Sequence, residues 1–146
     1  MKIKVKNILT KSEMARFKSE TDEFNVYFDV TTKYEQHEHI YESEVVMRII
    51  FLNKDAEDNN DEFPYSNVLL DCEFSGNFEI ANEDIDTDID IEKVMRTNCS
   101  AMLYPFIRER IARITQESLY RKPYYLESIN FIAVYSDWIK RISQQG

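Results

Sequence analysis

The hydrophobic period of this chain changes once, and that change limits the fold more than any other feature. Up to Ile80 the chain reads as strands: KIKVKNIL and FNVYFDVTTKY alternate, YESEVVMRIIFL is rich in β-branched residues, and SNVLLDCEFSGNFEI continues the series. From about Ile91 to Glu117 the period becomes helical. Leu103, Ile107, Ile111 and Ile114 fall on one face with Met102 and Phe106 beside them, and Arg108, Glu109 and Arg113 fall on the other. A last segment, SINFIAVYSDWIKRI, places Phe131, Val134, Tyr135, Trp138, Ile139 and Ile142 against Asp137, Lys140 and Arg141. Consecutive strands are most simply antiparallel. The expected fold is therefore α+β, a four-stranded antiparallel sheet followed by a long helix and a short C-terminal amphipathic helix. Pro105 interrupts the long helix. It has no N–H for the carbonyl of Ala101 and its ring crowds that carbonyl, at a cost of ~3 kcal/mol or more in a helix interior. A kink is expected there, bending the helix over a twisted sheet or across a subunit interface.

A chain of 146 residues, 43% hydrophobic, suits one domain spanning residues 1–146 with one core. No stretch reaches the ~18 uninterrupted apolar residues of a membrane span, and MKIKVKNILTK lacks the apolar run of a secretory signal. A cytoplasmic location without membrane insertion is expected. Cys72 and Cys99 form no CxxC pair, which suits thiols in a reducing compartment. A net charge of -9 repels phosphate backbones, so nucleic acid is not an expected partner. With two glycines and no phosphate-binding glycine pattern, no nucleotide cofactor is expected either.

Three motifs suggest chemistry and fall short of it. In EQHEHIYE, His37 and His39 would share one side of a strand, but two ligands make no metal site, and a solvated turn is expected. In NEDIDTDIDIE, Asp84, Asp86 and Asp88 copy the start of a calcium loop, but Ile89 stands where glycine is required and Met95 where the closing glutamate belongs. An acidic approach to the next helix, favourable to its dipole, accounts for them. Cys99 has no base nearby in sequence. No catalytic residue, metal or cofactor is expected. Between Leu52 and Val68, NKDAEDNNDEFPYSN is expected to be a long exposed hairpin loop.

CSAMLYPFIRERI followed by LESINFIAVYSDWI closely resembles the C-terminal half of the SecB family of export chaperones. IKVKNILTK resembles that family's first strand and VLLDCEFSGNFEI its fourth. The resemblance covers almost the whole chain. It implies an ATP-independent holdase, a homotetramer built as a dimer of dimers, that binds unfolded or nascent polypeptides in hydrophobic grooves. It implies as further partner either the translocase ATPase SecA or, as in toxin–antitoxin relatives, an antitoxin. Thirteen per cent aromatic residues and five Met suit such a surface.

By this resemblance the client-binding residues are Tyr27, Val30, Tyr34 and Tyr41, flanking a crossover between the second and third strands, with Phe131, Tyr135, Trp138 and Ile142 on the last helix. The same residues have plainer readings, as sheet faces and as the buried stripe of a helix. Leu69 and Asp71 fall on the fourth-strand positions that dock the translocase ATPase in the family, whereas Ser12 and Arg16 occupy first-strand positions that are acidic there. A cation in an anion-reading interface weakens such docking. A non-chaperone interaction module on the same fold is the further alternative.

Overall fold

The computed structural model describes residues 1–54, 67–82 and 89–145. Most of the expected loop between Leu52 and Val68, and Asp84, Asp86 and Asp88, lie outside the described residues. Four strands of 14 residues each, β1 (Lys2–Ala15), β2 (Phe24–His37), β3 (Ile40–Asn53) and β4 (Val68–Ala81), form one antiparallel sheet in the order β1-β4-β3-β2. β2 and β3 are longer than the sequence pattern indicates. They pair without interruption to His37 opposite Ile40, so the turn is only Glu38 and His39, with Glu38 left-handed at φ 59°. There is thus no crossover between β2 and β3. The connection that crosses the sheet is residues 16–23, between β1 at one edge and β2 at the other.

The alternation of each strand sorts its residues between two faces. Val45, Met47 and Ile49 of β3 lie opposite Gly76, Phe74 and Cys72 of β4, and all three apolar rows turn toward the helices. The helical stretch begins with α1 (Ile91–Val94), continues through a π-helical turn (Met95–Cys99) and ends in α2 (Ser100–Glu117). Asp90 caps it, accepting from the Lys93 N–H at 3.2 Å, with Glu92 in the first turn favourable to the dipole. Ile91, Met95, Cys99, Leu103, Ile107 and Ile111 are all buried and recur every fourth residue. Such a row drifts by about 40° per step around an α-helix of 3.6 residues per turn. The wider π-turn, closed by the Ser100 N–H on the Met95 carbonyl, takes up part of that drift and keeps the row on the sheet.

Pro105 sits on the solvent side of α2, between Met102 and Phe106, which are 37% and 57% exposed. Those two residues lie outside the buried stripe. Ala101, whose carbonyl the proline leaves without its helical donor, is exposed too, so water can serve it. After α2, residues 118–130 run back over an aromatic cluster of Phe17, Phe24, Phe51, Tyr120 and Tyr124. The last helix, α3 (Phe131–Gln145), is capped by Asn130, whose Oδ1 accepts from the Ala133 N–H at 3.2 Å.

Gly76 lies beneath the Leu103 side chain of α2. A Cβ there would lie 2.7 Å from Cε2 of Phe78 and 3.4 Å from Cδ1 of Leu103, and both side chains are fully enclosed. Gly76→Ala is therefore expected to destabilise by about 1–3 kcal/mol, the range for overpacking, although alanine suits a strand better than glycine. Urea unfolding measures it. An unchanged midpoint would show that the helix can shift at no cost.

Candidate functional site

α3 carries a broad apolar face of which only Phe131 is fully buried. Phe131 is packed, its ring 5.5 Å from that of Tyr104, but Val134, Tyr135, Trp138 and Ile139 are only half-buried and Ile142 is 43% exposed. The helix is held by polar contacts instead. Arg96, in the π-turn, donates from Nε to Glu92 Oε2 at 3.0 Å and from Nη1 to the Val30 carbonyl at 3.2 Å. Its guanidinium lies 3.7 Å from the centre of the Trp138 ring. Glu92 in turn accepts from Thr32 Oγ1 at 2.9 Å. Tyr135 donates its hydroxyl to Asp90 Oδ2 at 3.0 Å, and desolvation, with Asp90 adjoining, pushes that phenol's pKa up.

Between α3 and β2 this leaves an open groove of about 300 Å³, floored by Phe28 and Val30 and walled by Val134, Trp138 and Ile142, with Arg96 and Arg141 at its sides. Of the residues expected to bind clients, Val30, Trp138 and Ile142 meet here, and the Tyr135 ring lies 5.9 Å from that of Trp138, tilted by 35°. The others are elsewhere. Phe131 is core. Tyr34 and Tyr41 pair edge to face at 5.9 Å near the β2–β3 turn, with Tyr34 roughly 13 Å along the strand from Val30. Tyr27, 46% exposed, points to the reverse face of the sheet, because it is an odd number of residues from Val30. Sequence reasoning missed Phe28, Glu92 and Arg96, although the Glu92–Arg96 spacing of four on one helix was a visible signal.

The reverse face of the sheet holds the two expected docking residues in altered form. Leu69 is fully buried and presents no surface. Asp71 is gripped by Arg48 through both oxygens, at 2.9 and 2.6 Å, a bidentate pair that neutralises it. Glu44 is likewise compensated, accepting from Ser75 Oγ at 2.8 Å and lying 3.3 Å from the Lys33 amine. A second apolar depression, about 450 Å³, lies between β1 and α2, lined by Val5, Ile8, Leu9, Phe74 and Phe106. At the β2–β3 turn Glu35 and Glu42 join His37, their ligand atoms within 4.8 Å of one another and all three exposed. Burial pushes the Cys72 thiol up to about 11 and the Cys99 thiol up to about 12. Neither is a nucleophile near neutral pH.

A family model that matches most of the chain identifies its family. The family described as preprotein translocase subunit SecB matches residues 10–142. The protein-export protein SecB of Jannaschia sp. (strain CCS1) is 29% identical over 91 residues, 62% of this chain and 51% of that relative, so the matched part spans about half the relative's length. A solved structure of the Mycobacterium tuberculosis SecB-like chaperone with a ChAD peptide from the HigA1 antitoxin aligns with a TM-score of 0.57. That alignment covers 87% of this chain and 90% of that one at 17% identity, a likeness of fold.

Two outcomes follow from the site's chemistry. Arg96→Ala is expected to cost about 1–3 kcal/mol, from charged hydrogen bonds and the stacked cation, and to red-shift the emission of Trp138, the chain's one tryptophan. An unmoved spectrum would show that Arg96 does not cover the indole. Both thiols hold their proton more tightly folded than unfolded, so their contribution to stability is complete below about pH 9 and lost as pH rises toward 11–12. Alkylation at pH 8 is expected to label both cysteines only after denaturation, and labelling of the native chain would contradict their burial.

Proposed function

Because this chain belongs to the SecB family, whose members are chaperones and not enzymes, we propose that it is an ATP-independent holdase that binds unfolded or nascent polypeptides and keeps them soluble. The observation that carries this reading is the unpacked face of α3 beside Phe28 and Val30. An amphipathic helix normally buries its stripe, and here polar bonds hold the helix while the stripe stays accessible. Apolar grooves of this kind take extended chains of many sequences. Strong net negative charge keeps molecules with such grooves apart. We place residues 1–146 as one chaperone domain acting in the cytoplasm. Among the described residues no helix is long and apolar enough to cross a membrane.

Two destinations fit a holdase on this fold. Export would require docking to the translocase ATPase SecA. Burial of Leu69 and neutralisation of Asp71 by Arg48 weigh against an acidic docking face in this chain. The second reading, a chaperone dedicated to an antitoxin, draws support from that same face and from the solved relative that holds an antitoxin peptide. The third, a non-chaperone interaction module, has no structural feature of its own to favour it. In either chaperone role the apolar depression of Val5, Leu9 and Phe106 supplies a surface for a second copy, in keeping with a homotetramer arranged as a dimer of dimers.

The reading is tested by aggregation of an unrelated denatured protein, without nucleotide and near stoichiometric ratio. Suppression is expected. Ile142→Asp, at an exposed position, is expected to weaken it about tenfold or more by placing an unpaired charge in the apolar wall, with unchanged circular dichroism. Full activity of that variant would remove the groove from the mechanism, and no suppression by the wild type on several substrates would overturn a general holdase. Sedimentation of Phe106→Asp is expected to show a smaller assembly than wild type, and an unchanged one would move the interface elsewhere.

A further inference from the structure

The two edges of the sheet are built differently, and the difference bears on how the groove would hold a chain. β1 is interrupted twice in its pairing with β4, between Val5 and Asn7 and between Thr10 and Ser12. The extra residues are Lys6 and Lys11, and Lys2 and Lys4 lie on the same strand. Bulges and lysines are the usual guards of an exposed edge. β2, the opposite edge, pairs with β3 without a register shift, has no proline and carries one lysine, Lys33. It lacks those guards, and Arg96 caps it at the Val30 carbonyl, an acceptor that an added strand would take over.

Its open groups can be identified. The Lys54 N–H bonds the Glu23 carbonyl at 3.1 Å, so the odd-numbered residues of this ladder exchange bonds with β3. Arg96 bonds the Val30 carbonyl, so the even-numbered ones face outward. Val26, Phe28, Val30, Thr32 and Tyr34 therefore turn their backbone N–H and C=O groups away from the sheet. Phe28 and Val30 do so at the floor of the groove beneath α3. Arg96 already stands outside the sheet, donating to Val30 where the amide of an added strand would donate. Arg141, on the other wall, forms no ion pair among the described residues, within a chain of net charge -9.

We propose that an extended segment of a partner polypeptide adds to the outer edge of β2 as a fifth strand, its apolar side chains against Trp138 and Ile142 and an acidic side chain at Arg141. The inference rests on the reading of this groove as the polypeptide-binding site and adds how the backbone is held and which side chains are favoured. Main-chain bonding explains tolerance of sequence, since every residue but proline offers the same donor. The carboxylate at Arg141 supplies the charge complement that the rest of this acidic surface does not.

The test uses a short peptide alternating valine and serine around one central glutamate, with binding followed by Trp138 emission. The peptide is made in three forms: unmodified, N-methylated at alternate residues, and N-methylated at the other alternate residues. In strand addition only one set of amides faces β2. One methylated form is expected to bind about tenfold or more weakly, and the other to bind within about twofold of the unmodified peptide. Replacing glutamate with glutamine is expected to weaken binding two- to fivefold, roughly what a partly exposed ion pair contributes, for wild type and not for Arg141→Gln. Equal effects of the two methylated forms, or failure of the unmodified peptide to bind, would overturn strand addition. Suppression of aggregation by the same preparation would then leave the holdase reading standing, so the two failures are distinguishable.

Discussion

The structure depends on one row of buried contacts, the residues recurring every fourth position from Ile91 to Ile111, laid across the inner face of β3 and β4. Each such side chain is worth roughly 1.5–3 kcal/mol when fully buried, and their sum fixes the long helix to the sheet. The π-turn and Gly76 are both consequences of it. One lets a four-residue repeat stay aligned with the sheet, and the other leaves room for Leu103 against the strand. Because α1, the π-turn and α2 together cover the sheet's centre, α3 adds only Phe131 to the core.

The rest of the α3 stripe is therefore left outside the core. A helix held by Phe131 at one end and by Arg96 and Asp90 along its side can keep an apolar stripe turned toward an open edge without being absorbed by the fold. Arg96 joins three elements through its contacts with Glu92, Val30 and Trp138. The guanidinium suits this position because it can hydrogen-bond in its plane and stack on an indole through its face.

Much of the fold was legible in the chain. The change of period after Ile80 gave the sheet-then-helix order, and the stripe of Leu103, Ile107, Ile111 and Ile114 is the one that is buried. The β2–β3 connection was legible as a solvated turn within EQHEHIYE but not as one of only two residues, because Glu38 adopts a left-handed conformation that usually calls for glycine or asparagine. At the candidate site, Trp138 and Ile142 were visible from helical spacing and Val30 from strand alternation. Tyr27 belongs to the reverse face because alternation fixes only which residues share a face, not which face is inner. Phe28, Glu92 and Arg96 come together only through long-range pairing, which spacing within one element does not encode. The reverse face shows the same limit, since Arg48 lies 23 residues from the Asp71 it neutralises.

The central claim is that the edge of β2 and the exposed stripe of α3 together hold unfolded polypeptide. Amide hydrogen exchange of the whole chain, with and without a stoichiometric, permanently unfolded client, tests it directly. New protection is expected at the even-numbered amides from Val26 to Tyr34 and across residues 131–145, with β1 unchanged. Protection confined to β1 and the outer face of α2, leaving β2 and α3 as they were, would contradict it.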